Sequence, residues 1–263
     1  MTQKTDLIID GRSLTLDGLV QAARAGARVV IAQSAVQAMQ ASRDRVEAIL
    51  QKDHPVYGIN TGFGSLSTVS ITVDEASLLQ NNLILSHAVG CGAPLPTEAV
   101  RAMLLLRANA LCQGYSGIRP VLVQTLVDML NAGVHPVIPE KGSLGASGDL
   151  APLSHMALVL LGLGEAEYRG EVMPGGQAMA LAGIRPARLL AKEGLALING
   201  TQAMGAVGAL ALYDALRACR LADIAAGFSL EALLGNLSAF DARVHAVRPH
   251  LGLQQVAANL RAL

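Results

Sequence analysis

The sequence contains no tryptophan, and aromatic residues make up only 3% of its 263 positions. A core built without large rings must be packed from Leu, Ala, Val and Ile, and a chain rich in Ala and Leu leans toward helix. Charge is scarce as well. Charged residues amount to 15%, with 20 basic side chains against 20 acidic ones. That balance removes the electrostatic reason to expect nucleic acid or an anionic membrane as partner. Cys91, Cys112 and Cys219 are odd in number and form no CxxC pair. Such usage argues against a disulfide framework and against a zinc site, so no metal is expected and a reducing cytoplasm fits. Met1 to Asp10 lacks the basic flank and apolar core of a secretion signal.

What is present is apolar. Hydrophobic residues account for 52% of the chain, which excludes a disordered protein and suffices for one large domain or two small ones. With so few charges, some helix faces are expected to be covered by other subunits, making a homo-oligomer. The uncharged run from Gly194 to Tyr213 is long enough to raise the question of a membrane. It carries Asn199, Thr201, Gln202 and several glycines, and a buried helix accounts for that polar load better.

Along the chain, Leu7 to Asp10 reads as extended, followed by a helix from Thr15 or Asp17. Ser34 is placed as N-cap of a helix to about Gln51, Asp74 of one to about Val89, and Thr97 of one to about Gln113. Pro120 opens a helix that Gly133 closes, and Pro152 lies in the first turn of an apolar helix ending near Gly162. Tyr168 to Met173 reads as a small hairpin arm. Lys192 to about Leu234 reads as long apolar helix with a break near Asn199-Gly200. Two stretches, His54 to Ser70 and His135 to Leu150, are glycine-rich loops, and long loops in compact folds tend to carry function.

The second loop holds Lys141-Gly142-Ser143-Leu144-Gly145-Ala146-Ser147-Gly148-Asp149-Leu150. Taken alone, this is a flexible turn with Asp149 as helix N-cap. It also admits a chemical step. The amide nitrogen of Gly148 can attack the carbonyl carbon of Ala146, because a residue without Cβ tolerates the tight bend. Loss of water from that ring, and of the Ser147 hydroxyl as a second water, leaves an exocyclic methylene. The product is an electrophile that none of the twenty side chains supplies.

Gly142 through Leu153 resembles the signature of the aromatic amino acid ammonia-lyases, the histidine, phenylalanine and tyrosine enzymes. Four further blocks are similar to that family in order and spacing: Val56 to Gly64, Arg107 to Arg119, Glu193 to Gln202, and Ala239 to His245. The resemblance implies a mainly α, fumarase/aspartase-like helical lyase fold, present as its N-terminal portion. Residues 1–190 would form the helical domain with the tyrosine loop and the electrophile, and 191–263 the start of a central helical bundle. It implies a 4-methylidene-imidazol-5-one formed autocatalytically from Ala146, Ser147 and Gly148, with no dissociable cofactor. It also implies an amino-acid substrate and a homotetramer in the cytoplasm.

Within that resemblance Tyr57 matches the base that removes a β-proton, and Asn199 the amide that holds the substrate carboxylate or amine. Leu85-Ser86-His87 matches the histidine-specific branch, where His87 meets the substrate ring. L-histidine converted to trans-urocanate is therefore the expected reaction. The same sequence leaves open a tyrosine or phenylalanine lyase, an aminomutase, or a catalytically silent helical module. Family members run well beyond the Phe240-Asp241-Ala242-Arg243 block near which this sequence ends.

Overall fold

The computed structural model describes residues 6–51, 56, 58, 59, 61, 73–144 and 149–263, with only the backbone for 73–75. The fold is mainly helical, as expected. The chain divides into two compact units between Leu210 and Ala211, whereas the sequence reading sets the boundary at 190/191.

The first unit opens with β1 (Leu7–Ile9), paired in parallel with β2 (Val29–Ile31) around the helix α1 (Leu16–Arg24). Thr15 caps α1 as its position suggests: its backbone is extended and its hydroxyl accepts from Gly18 N. Ser34 does not cap α2 (Gln33–Leu50). Ala32 takes that place without a side-chain bond, because its amide still donates to Ile9 O at 2.9 Å and the chain turns into helix directly off the strand pair. Thr97 likewise lies inside α4 (Thr97–Leu111) behind Pro96, and its hydroxyl donates to Glu167 at 2.8 Å instead. Asp74 falls within α3 (Val73–His87) rather than ahead of it.

The core forms where α4 packs between α1 and α5 (Pro120–Ala132). Met103, Leu104, Leu105, Leu126 and Met129 have no appreciable exposure. Each fully buried Leu or Met side chain contributes roughly 1.5–3 kcal/mol before chain entropy is subtracted. The α5 ends are those the sequence marks: proline in the first turn, and Gly133 at φ +78 closing the helix.

Short strands occupy part of the predicted second loop. β4 (Val134–Pro136) pairs with β6 (Glu165–Tyr168), which pairs with β7 (Glu171–Pro174) in a hairpin at the predicted arm. β3 (Cys91–Pro94) and β5 (Pro139–Lys141) form a separate ladder that aligns Cys91 with Lys141. A helix not anticipated from sequence, α7 (Gly175–Leu181), follows β7. α6 (Leu150–Leu160) is the expected apolar helix with Pro152 in its first turn.

α8 (Glu193–Ile198) and α9 (Gln202–Ala232) are separated at Asn199 to Thr201, the break the sequence suggests. Taken together, 193–232 is long and apolar enough to cross a membrane by length and composition. α8 is buried, and in α9 burial is confined to Ala203, Ala206 and Leu210. The expectation of a buried helix thus holds for α8 and the first turns of α9 alone. The second unit contains α9 from Ala211, a 3-10 turn (Leu237–Phe240), α10 (Ala242–Val247) and α11 (Leu251–Ala262). Asn259 on α11 donates to Asp223 on α9 at 2.6 Å.

Candidate active site

Helices α3, α6 and α8 pack on one another. Asp149, ahead of α6, meets the break after α8 that carries Asn199, and the turn following His87 at the C-terminus of α3 meets α6 at His155.

Asp149 is fully buried. Its amide donates to Gly200 O at 2.5 Å, one carboxylate oxygen accepts from Met204 N at 3.0 Å, and the other accepts from the Ser143 hydroxyl. Its side chain makes no cap bond to α6. The carboxylate serves instead the first turn of α9, where free amides and the helix dipole favour a negative charge. Asp149 thus holds the N-cap position of α6, as expected, while its side chain caps α9. Ser143 and Asp149 stand on the two sides of residues 145–148 and are bonded to each other. Ala146, Ser147 and Gly148 themselves lie outside the described residues.

The α8–α9 break is braced by Arg107 of α4. Nη2 donates to Ala196 O in the last turn of α8, and Nη1 donates to Gln202 Oε1 at the start of α9 at 2.9 Å. Arg107 is only 4% exposed, its Nε has no partner, and no carboxylate among the described residues pairs with it. Burial pulls its pKa down to about 10, so it remains a cation at neutral pH. A Cβ at Gly200 would collide with both Arg107 Nη1 and Gln202 Oε1, so a larger residue there must displace one of these side-chain ends. Asn199 sits in the break with its side chain exposed and without a hydrogen bond among the described residues. The sequence argument that its amide needs a buried partner therefore does not apply; the amide is available to a ligand.

His87 Nδ1 lies 2.8 Å from Leu83 O. A carbonyl oxygen only accepts, so Nδ1 carries a proton, and the tautomer that fits this bond has Nε2 as its acceptor. The Ser86 hydroxyl donates to the same carbonyl at 3.0 Å. Just beyond, Gly90 N donates to His155 Nε2 at 3.1 Å. Burial lowers the His155 pKa, which favours the unprotonated acceptor.

The far end of α8 is held by Glu193, also fully buried. It accepts from Arg119 Nε at 2.7 Å and Nη2 at 2.8 Å, and from Leu190 N at 2.7 Å. Those bonds to Glu193 raise the Arg119 pKa. Gln80 of α3 accepts from Leu195 N at 3.2 Å, which ties α3 to α8. Tyr57 lies outside the described residues. Near it, Ile59 N donates to Val56 O at 3.1 Å and Gly58 has φ +72.

The structure therefore joins Asp149 to the break that carries Asn199, and ties the turn after His87 to α6 through His155. Sequence reasoning missed Arg107, His155 and the real target of Asp149. Arg107 had a visible signal, a guanidinium in the apolar run Met103 to Ala108. His155 had none, because its partner is 65 positions away. No cluster of His, Cys, Asp and Glu among the described residues could hold a metal ion.

A mainly helical scaffold whose helix ends close on the flanks of one small-residue segment is that of a helical lyase. The chain belongs to the aromatic amino acid lyase family, whose family model matches residues 14–263. It is 55% identical over 252 residues to the histidine ammonia-lyase of Alkaliphilus metalliredigens, covering 96% of this chain and 50% of that protein. The crystal structure of histidine ammonia-lyase from Trypanosoma cruzi superposes with a TM-score of 0.92 at 44% identity, over 98% of this chain and 51% of that one. Tyrosine aminomutase from Streptomyces globisporus superposes at 0.91 with 37% identity, over 98% and 49%. The chain spans about half the length of the curated relatives it matches.

Proposed function

We propose that this chain carries the electrophile, the base and the ring-recognition site of a histidine ammonia-lyase, which eliminates ammonia from L-histidine to give trans-urocanate. The observation that carries the reading is His87: its Nδ1 proton is committed to Leu83 O, and its Nε2 is left to accept a hydrogen bond. An imidazole N–H supplies that bond, while a phenyl ring leaves the acceptor unpaired, and such mismatches discriminate strongly.

The residues fit a methylidene-imidazolone made from Ala146, Ser147 and Gly148. Ser143 and Asp149 are joined across the segment, and the Asp149 amide is fixed to Gly200 O, so the flanks are held together as a backbone cyclisation between Gly148 N and Ala146 C requires. That group, once formed, supplies an electrophile for the substrate amine. The remaining roles belong to ordinary side chains. His87 accepts the substrate imidazole N–H and sets the ring's orientation. Asn199, exposed in the break, hydrogen-bonds the substrate carboxylate or amine. Tyr57 takes the β-proton as the carbon–nitrogen bond breaks and ammonia leaves. A tyrosine ionises near pH ~10 in water, so this base needs a lowered pKa or a shared proton at the moment of reaction.

The remaining features of the reading are a homotetramer, cytoplasmic location and a role in histidine degradation. The purified protein is to be incubated with L-histidine, L-tyrosine and L-phenylalanine, following ammonia and the unsaturated acid, with intact mass measured in parallel. Urocanate from histidine, and a mass two waters below that of the sequence, is the expected result. Turnover of tyrosine or phenylalanine instead would make it another member of the family. A mass without dehydration and no ammonia from any of the three would leave a silent helical module.

A further inference from the structure

We propose that His155 is a positioning residue that fixes the spacing between His87 and the Asp149 anchor, and so sets which substrate side chain fits. This rests on the reading of His87 as the ring-recognition residue.

The turn that follows His87 is held by a side chain from another helix. Val89 N donates to His87 O at 2.9 Å, and the next amide, Gly90 N, donates to His155 Nε2 at 3.1 Å. The approach is tight. A Cβ at Gly90 would lie 3.1 Å from His155 Nε2 and 3.3 Å from Lys141 O. The third partner is Gly142, at φ +155, where a Cβ would lie 3.2 Å from Gly90 Cα and 3.2 Å from Ala151 Cβ. Three pieces of chain therefore meet: the turn after His87 and the strand end leading to Ser143 touch through backbone atoms, and α6 reaches them through Ala151 Cβ and the His155 ring. Beyond the glycines, the β3–β5 ladder continues the same connection by pairing Cys91 with Lys141.

These contacts attach the His87 turn to both flanks of residues 145–148. On one side the link runs through Gly142 to Ser143. On the other it runs through His155 along α6 to Asp149. Six residues of α helix rise about 9 Å, and a helix is stiff over that length. α6 thus acts as a ruler between the Asp149 anchor and the turn carrying His87. The substrate must reach from an amine at one end to a ring at the other, so this length selects among side chains. Nε2 accepts the Gly90 bond only while unprotonated, and burial of the ring keeps it so near neutrality.

Two variants separate positioning from bulk stability. Gln at 155 can place Oε1 where Nε2 stands and keep the acceptor, whereas Leu fills similar space without one. The primary readout is hydrogen exchange of the peptide spanning 84–94, with the Kd for urocanate measured by calorimetry. Exchange needs neither turnover nor ligand, so it tests the brace even if the lyase reading fails, a failure that absent urocanate binding and absent ammonia release in the parent would report separately. In His155→Leu the peptide exchanges faster and the Kd rises about tenfold, while His155→Gln stays within about threefold of the parent. In active protein, KM for L-histidine rises by a similar factor with kcat nearly unchanged, and the two-water mass loss persists. Unchanged exchange in His155→Leu overturns the brace itself. Faster exchange with unchanged urocanate binding and KM overturns the positioning role.

Discussion

The Asp149 carboxylate accepts the amide of Met204 at 3.0 Å, so the residue that precedes α6 caps α9 instead. Through this bond, and its own amide on Gly200 O, one buried acid joins the flank of residues 145–148 to the break that carries Asn199. Asp149→Ala removes a buried charged acceptor from Met204 N and Ser143 Oγ, at about 2–4 kcal/mol. For a chain of this size that is on the order of 5–12 °C in melting temperature. Because the flank is then untied, dehydration of the segment should fall as well. Thermal melting and intact mass test both; an unchanged Tm with full dehydration would show that the tie is dispensable.

Ser147→Ala deletes the hydroxyl that leaves as the second water in the proposed ring. The variant is expected to fold, because alanine is no bulkier than serine. It should lack the near-ultraviolet absorbance of the conjugated ring and lose ammonia release from L-histidine. Retained activity in that variant ends the proposed mechanism.

His87→Leu keeps an apolar side chain of similar length but removes the Nε2 acceptor. KM for L-histidine should rise by about tenfold or more, and intact mass should still show two waters lost. Steady-state kinetics decide the matter, since unchanged histidine kinetics would remove His87 from the ring site.

Gly200 is enclosed by Arg107 Nη1 and Gln202 Oε1, and neither leaves space for a methyl group. Gly200→Ala is expected to destabilise the protein by about 1–3 kcal/mol, the usual range for overpacking. Gln202 is the more flexible of the two neighbours, so Gly200→Ala with Gln202→Ala should recover part of the loss. Denaturant midpoints for the two variants test this. Equal loss in both would mean that Arg107, held to Ala196 O, is the part that cannot move.

How much of this was legible follows from the range over which each signal acts. Thr15, Pro120 and Gly133 mark helix ends through their own backbone and side-chain chemistry, so sequence alone reads them. Ser34 and Thr97 misled because their neighbours, Ala32 and Pro96, occupy the cap position, and that is decided by a strand pair and a proline turn. The strands β3, β4 and β5 are three or four residues long, too short for alternation to register, and β3 finds its partner through the tertiary fold. The roles proposed for His87 and Asn199 come from the family resemblance. His155 and the α9 side of Asp149 were not legible, because the groups they bind lie 65 and 55 positions away.

Protonation links stability to pH through His135 as well as His155. His135 accepts from Arg101 Nη1 at 3.0 Å through Nε2, and its Nδ1 lies 3.9 Å from Glu167. Burial, then the Arg101 charge, lower its pKa, against a smaller opposing pull from Glu167; burial lowers that of His155. A histidine whose folded pKa is depressed binds fewer protons when folded than when unfolded. Its stabilising contribution is therefore complete above the unfolded value of about 6.5 and is lost as pH falls through the folded one. Melting temperature should accordingly drop on acidification below about pH 6.5. His135→Gln, which can still accept from Arg101 but cannot titrate, should show a shallower drop over the same interval. Parallel curves for parent and variant would mean that His135 takes no part in the acid response, leaving His155 and the carboxylates to account for it.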